Sequence, residues 1–214
     1  PKVVSFDAFN TLFVSKRPIL KVYAEIGAKH GFNLSEEELS SRFPDVYKDM
    51  RAKYPNFGKS AKMTYQEWWR QLLVKLYDPL KIQQDFIDEL LTTFEGFKGY
   101  TGYDDVEAFL KQNYGDNVIF VASSNSDPRV VKVLESLKLL KYFHKVYLSY
   151  DIEVTKPNLE FFNYIIDDLL ENCESLKGVD RKDLMPNVWH IGDELTNDLE
   201  ACFRAGWNGI LIDR

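Results

Sequence analysis

The sequence predicts an α/β fold, with a parallel sheet of five main strands and an all-helical bundle inserted after the first. Two observations carry this. From Gly99 onward, short apolar runs alternate with helical patterns, as strand–helix–strand units do. Residues from about Pro18 to Phe97 show only the helical period, so this block separates the first strand from the other four.

Val3 to Phe6 is an apolar run bounded by a polar turn, which reads as a buried strand. Asp7 stands at its carboxyl end, where open α/β sheets place their ligands. Asn10 and Thr11 add turn chemistry beside that carboxylate. Ile19, Val22, Tyr23 and Ile26 then recur at helical spacing, with Gly31 as the stop. Ser35-Glu36-Glu37-Glu38 matches a capping box opening a second helix toward Tyr54, which Pro44 is expected to kink or divide. Pro55 to Gly58 reads as a loop. Thr64 and Glu67 repeat the capping-box spacing ahead of an apolar stripe of Tyr65, Trp68, Trp69, Leu72, Leu73 and Leu76. The Trp68-Trp69 pair reads as bundle packing rather than a ligand platform. Ile82, Phe86, Leu90, Leu91 and Phe94 mark a fourth helix of the bundle.

Asp104 to Tyr114 is a helix ended by Gly115, followed by an apolar strand from Val118 to Ala122. A helix over Pro128 to Leu140 precedes a strand from Lys145 to Ser149. Pro157, at a first-turn position, opens a helix to about Leu170. The strand Val188 to Ile191 leads to a helix over Asp198 to Ala205 capped by Gly206, and Gly209 to Ile212 forms the last strand. The domains therefore run 1–14 with 99–214 for the sheet, and 15–98 for the helical insertion.

With 45% hydrophobic and 28% charged residues, the 214-residue chain has material for a sizeable core. A net charge of -6 without a basic run offers no footprint for nucleic acid or an anionic membrane surface. Cys173 and Cys202 form no metal or redox spacing and read as free thiols in a reducing compartment. No secretory signal precedes the first strand and no apolar run reaches membrane-spanning length, so the expectation is a soluble, intracellular, cytoplasmic protein. A start at Pro1-Lys2 points to a lost initiator methionine or trimming, and the stop at Arg214 leaves room for a longer native chain.

Three later stretches also follow strands. Ser123 to Asp127 offers hydroxyls and an amide that can bind phosphate oxygens, although the same letters describe a helix N-cap with Pro128 at N1. Lys156, before a proline, is pushed toward extended geometry and projects from a loop end. There it either neutralises an anionic ligand or is a solvated surface lysine. Gly192 to Asp198 carries Asp193, Glu194 and Asp198, hard oxygens of the kind Mg²⁺ prefers. A helix cap by Asn197 and Glu200 accounts for Asp198 but not for Asp193.

With Asp7, Ser124, Lys156 and the pair Asp193 and Asp198 in this order after successive strands, the chain resembles the haloacid dehalogenase-like hydrolase superfamily from end to end. Its helical block looks like the cap domain of the subgroup that inserts it there. The stretch Tyr54 to Gly58 through Thr64, Trp68 and Trp69 is similar to the branch named haloacid dehalogenase-like hydrolase domain-containing protein 3. The resemblance implies a Rossmann-like core and a cap that covers the site and sets specificity. It implies a Mg²⁺-dependent reaction in which Asp7 attacks phosphorus and forms an aspartyl-phosphate. Mg²⁺ would bind Asp7, the backbone carbonyl of Phe9 and Asp193. Ser124, Asn125 and Lys156 would bind the phosphoryl group, with Asp198 and Thr11 supporting them.

One position departs from the phosphatases of that family. They carry an aspartate two residues after the nucleophile as general acid and base, and here that residue is Phe9. Asn10 also replaces the usual glycine. An aromatic residue at this position is familiar in the family's 2-haloacid dehalogenases, which work without metal. The expected function is a weak phosphohydrolase acting on a small phosphorylated metabolite. The alternatives are a phosphate- and metal-binding or regulatory protein, and dehalogenase-type chemistry.

Overall fold

The structure, a computed structural model, describes residues 2–115 and 117–214. Its sheet contains β1 (Lys2–Phe6), β4 (Val118–Ser124), β5 (Lys145–Leu148), β6 (Val188–Gly192) and β7 (Asn208–Leu211), in the order β5-β4-β1-β6-β7. All pairs are parallel. The expected five-stranded Rossmann-like sheet is thus present. Six of the seven residues of β4 are buried, as a central parallel strand covered on both faces requires. Two further strands, β2 (Phe13–Ser15) and β3 (Tyr100–Gly102), form a separate two-stranded ribbon.

The register positions the chemistry. Phe6 lies between Ala122 and Ile191, so Asp7 emerges beside the carboxyl ends of β4 and β6. The Asp7 amide prolongs the pairing by donating to the Ile191 carbonyl at 2.8 Å. β1 has β4 on one side and β6 on the other, the topological switch point at which open α/β sheets bind ligands.

The helices, in chain order, are α1 (Ile19–Lys29), α2 (Glu36–Lys53), α3 (Tyr65–Leu76), α4 (Gln84–Thr93), α5 (Asp104–Asn113), α6 (Arg129–Ser136), α7 (Ser149–Ile152), α8 (Leu159–Asn172), α9 (Arg181–Leu184) and α10 (Ala201–Arg204). Among the described residues, no helix is long and apolar enough to cross a membrane. Two compact units result. One comprises Pro1–Val14, Thr101–Ser126 and Leu134–Arg214, and the other Ser15–Tyr100 with Asp127–Val133.

In the sheet unit, Val3, Val121 and Val188 pack under α8 through Phe161, Phe162, Ile165 and Leu169. Phe6 alternates to the opposite face, where it meets Phe109 of α5 together with Phe120 and Phe143. Three helix boundaries differ from expectation. α6 stops at Ser136 because Lys138 takes a left-handed φ of 60°. α8 starts at Leu159, capped by the Asn158 side chain, so Pro157 precedes the helix instead of opening it. The last helical stretch begins as a π-helix over Leu195–Glu200, ahead of Asp198.

In the helical unit, Tyr23, Leu39, Leu73, Leu76, Tyr77, Phe86 and Leu90 form one buried cluster, and Met50, Trp68 and Leu72 another. The capping box at Ser35 is complete: Ser35 Oγ accepts from the Glu38 amide, and Glu38 Oε2 accepts from the Ser35 amide. At Thr64 only half of it forms, because Glu67 is drawn to Arg70 and Gln71. α2 runs through Pro44 undivided. The expected loop at Pro55 to Gly58 opens a 3₁₀ segment, Asn56–Ala61. Gly58 has φ 82°, and a Cβ there would fall 2.8 Å from Met63 Cβ, which fixes glycine at this turn. The first turn of α6 belongs to this unit: Trp69 Nε1 donates to Asp127 Oδ2 at 2.8 Å, and the Arg129 guanidinium stacks 4.0 Å from the Trp69 ring. Trp68 is fully buried and donates to the Tyr54 carbonyl, so the tryptophan pair does pack the bundle.

Candidate active site

A tight turn aims Asp7. Leu12 N donates to the Ala8 carbonyl at 2.8 Å and Asn10 N to the Phe13 carbonyl at 2.8 Å, closing a loop on which Asn10 takes φ 59°. Asparagine tolerates this left-handed geometry better than other side-chain-bearing residues, which explains how it stands in for a glycine. Asp7 is buried, and Phe9 is 36% exposed with its ring edge-on to Phe13.

Lys156 does not lie on the surface. Its ammonium is buried and donates to Asp7 Oδ1 at 2.7 Å, to Asp198 Oδ1 at 2.5 Å and to the Ser123 carbonyl at 3.2 Å. All three of its protons are therefore placed. Burial opposes the charge, but the two carboxylates outweigh it and raise the Lys156 pKa.

Asn125, expected at the phosphate, has another use. Its Nδ2 donates to the Lys156 carbonyl and its Oδ1 accepts from the Lys156 amide, both at 2.8 Å. The side chain clamps the Lys156 backbone. Ser124 ends β4 with its hydroxyl donating to Ser126 Oγ at 3.0 Å.

Burial raises the Asp7 pKa to about 6, against the lowering pull of Lys156 and with help from the negative charges of Asp198 and Asp193. Burial raises Asp193 as well. Thr11 Oγ1 faces Asp193 Oδ1 at 3.4 Å. Burial would raise Asp198 too, but hydrogen bonding from His190 and the charge of Lys156 reverse this and hold it well below the usual carboxylate range. Asp198 Oδ2 accepts from the Glu194 amide at 3.0 Å. A Cβ on Gly192 would fall 2.3 Å from the Asp198 side chain, so only glycine admits this approach.

Each of Asp7, Asp193 and Asp198 offers a carboxylate oxygen, and these oxygens lie within 4.8 Å of one another. The sheet edge thus joins a carboxylate at the nucleophile position, a fixed ammonium, a hydroxyl and a group of hard oxygen donors. Sequence reading missed His190, Ser5 and the role of Ser123. His190 Nε2 lies 3.0 Å from Asp198 Oδ1, its Nδ1 3.1 Å from Ser5 Oγ, and Ser5 Oγ 2.7 Å from Ser123 Oγ. The available signal was a polar residue inside each of two apolar runs, Ser5 within Val3 to Phe6 of β1 and His190 within Val188 to Ile191 of β6.

The chain is 37% identical over 218 residues to uncharacterized protein YMR130W of Saccharomyces cerevisiae, covering 100% of this chain and 72% of that protein. It is 22% identical to haloacid dehalogenase-like hydrolase domain-containing protein 3 of Bos taurus, over 99% of this chain and 81% of that one. Its fold is like that of a HAD phosphatase from Thermococcus onnurineus, with a TM-score of 0.66 at 21% identity over 100% of this chain and 87% of the other. It is equally like that of the L-2-haloacid dehalogenase RSc1362, with a TM-score of 0.68 at 15% identity over 100% and 86%. At these identities the structural likeness concerns the fold. Residues 1–206 match the family model described as haloacid dehalogenase-like hydrolase, and the chain belongs to that family.

Proposed function

We propose that the chain is a phosphohydrolase that uses Mg²⁺ and acts on a small phosphorylated metabolite through an aspartyl-phosphate on Asp7. The observation that carries this reading is the buried Lys156 ammonium, held between Asp7 and Asp198 with Asp193 alongside. The donor set suits a hard divalent cation: crowded carboxylates, two of which burial drives toward protonation, gain from a shared positive charge. Asp7, Asp193 and the Phe9 carbonyl would hold Mg²⁺, which when bound supplies charge stabilisation to the phosphoryl group.

The remaining chemistry falls to the chain's own groups. Asp7 attacks phosphorus, a P–O bond forms as the leaving oxygen departs, and the product is a mixed anhydride on the carboxylate. Lys156 neutralises the incoming phosphate and keeps Asp7 ionised and oriented. The Ser124 hydroxyl turns from Ser126 to a phosphoryl oxygen. Phe9 has no proton to give the leaving group and cannot activate the water that must cleave the anhydride. Positioned acid–base catalysis is worth about 10²–10⁴-fold, so slow turnover with good leaving groups favoured is the expected behaviour. A small-molecule partner in a reducing compartment fits the net charge of -6 and the two buried free cysteines.

Phe9 also supports a second reading, in which Asp7 displaces halide from carbon and no acid is required. Steady-state assays separate the two. Hydrolysis of p-nitrophenyl phosphate that needs both Mg²⁺ and Asp7 supports the first, and metal-independent release of chloride from 2-chloropropionate overturns it. A binding or regulatory protein would give neither, and only ligand-dependent stabilisation.

A further inference from the structure

Behind the site, a buried line of side chains crosses three strands. Ser123 of β4, Ser5 of β1 and His190 of β6 sit side by side, each almost fully buried, and His190 meets Asp198. The parallel register sets this up, since Ser5 pairs with His190 across β1 and β6. The imidazole is held edge-on to Phe162 at 5.7 Å and 88°, and to Trp207 at 6.5 Å and 70°.

Hydrogen bonding and burial together assign the proton positions. Asp198, ionised, can only accept, so His190 Nε2 carries the proton that meets it. The ring is fully buried against Phe162 and Trp207, surroundings that favour the neutral form, which leaves Nδ1 as an acceptor. Ser5 then donates its hydroxyl proton to Nδ1 and accepts from Ser123. Ser123 acts twice, because its carbonyl also receives Lys156 Nζ.

We propose that His190 is a positioning residue, held as the Nε2–H tautomer by Asp198, with Ser5 and Ser123 satisfying its Nδ1 side. In that form it holds the Asp198 carboxylate where that group aims Lys156 at Asp7. Asp198 Oδ1 receives both His190 and Lys156, so rotation of this carboxylate would move the ammonium. The functional consequence rests on the phosphohydrolase reading. The tautomer does not.

The test uses the full chain with ¹⁵N-labelled histidine, which gives three residues to assign, His190 by its loss in His190→Gln. At pH 7 the relay predicts a single Nε2–H tautomer for His190, which persists in Ser5→Ala and becomes mixed in Asp198→Ala. An imidazolium, an Nδ1–H ring, or a tautomer indifferent to Asp198→Ala overturns the relay, whatever the activity. In rapid mixing with p-nitrophenyl phosphate, His190→Leu is expected to slow the burst about 10–100-fold, the scale at which supporting groups act. His190→Gln, which keeps a donor near the Nε2 position, restores most of it. A folded His190→Leu variant with a wild-type burst rate removes the positioning role. Absence of turnover in the wild type counts against the phosphohydrolase reading, and the tautomer measurement then decides the relay.

Discussion

Lys156 Nζ stands 2.7 Å from Asp7 Oδ1, joining residues 149 positions apart in sequence. Asp7 is placed by the end of β1 and its tight turn, and Lys156 by the loop that Asn125 clamps. Because sheet and loop are both fixed, the pair is preorganised, and its consequences are measurable.

Mg²⁺ is expected to stabilise the protein at pH 7 by about 2–3 kcal/mol at 100 times its Kd, by preferential binding to the folded state. Asp193→Asn should abolish this gain while leaving the metal-free fold intact, since Asp193 is only partly buried. Thermal unfolding with and without MgCl₂ reads it. Undiminished stabilisation in Asp193→Asn would mean that the cation binds elsewhere.

The raised Asp7 pKa has a sign that can be checked. Folding makes Asp7 harder to ionise, moving it from 3.8 to about 6, so the native state holds this proton more tightly than the unfolded chain. The Asp7 contribution is therefore complete below pH 4 and is lost as pH rises through 6. Asp7→Asn should accordingly stabilise the metal-free protein by about 1–3 kcal/mol at pH 7 and by little at pH 4. Urea unfolding at the two pH values measures the difference. Asp198, whose pKa is lowered, acts in the opposite sense below pH 4 and leaves this window clear.

Within the helical unit, Trp68→Ala should cost about 3–5 kcal/mol, since a fully buried indole and its bond to the Tyr54 carbonyl are removed together. Trp69, partly exposed, should cost less. Denaturant midpoints of the two variants test the ranking.

Phe9→Asp should raise steady-state hydrolysis of an alkyl phosphate, a poor leaving group, by about 10²–10⁴-fold. The effect on p-nitrophenyl phosphate should be confined to the second step. No gain on either substrate would show that the missing carboxylate is not what limits turnover.

Lys156, beyond β5 and the short α7, was legible from the proline that follows it, and Asp7, Ser124 and Asp193 were legible because strand periodicity puts each at or just past a strand end, which a parallel sheet brings to one edge. The Asn125 clamp was not, because its partner is 31 residues away and an amide suits a phosphate equally well. His190 escaped for a similar reason. Its partner Ser5 lies 185 residues off, and only the register of β1 with β6 joins them. The start of the last helix was misjudged because Asp198 suits a helix N-terminus, whereas the π-helix beginning at Leu195 carries it inward to Lys156 and His190. α2 likewise passes Pro44 undivided, though propensity favours a break there.

The most direct measurement is a rapid-mixing assay of p-nitrophenolate release with and without Mg²⁺, beside Asp7→Asn. Nitrophenolate leaves without an acid, so the missing proton donor at Phe9 should handicap the second step more than the first. The account predicts a burst near one equivalent that requires both Mg²⁺ and Asp7, followed by slow turnover. Release that is absent, or that persists in Asp7→Asn, would contradict it.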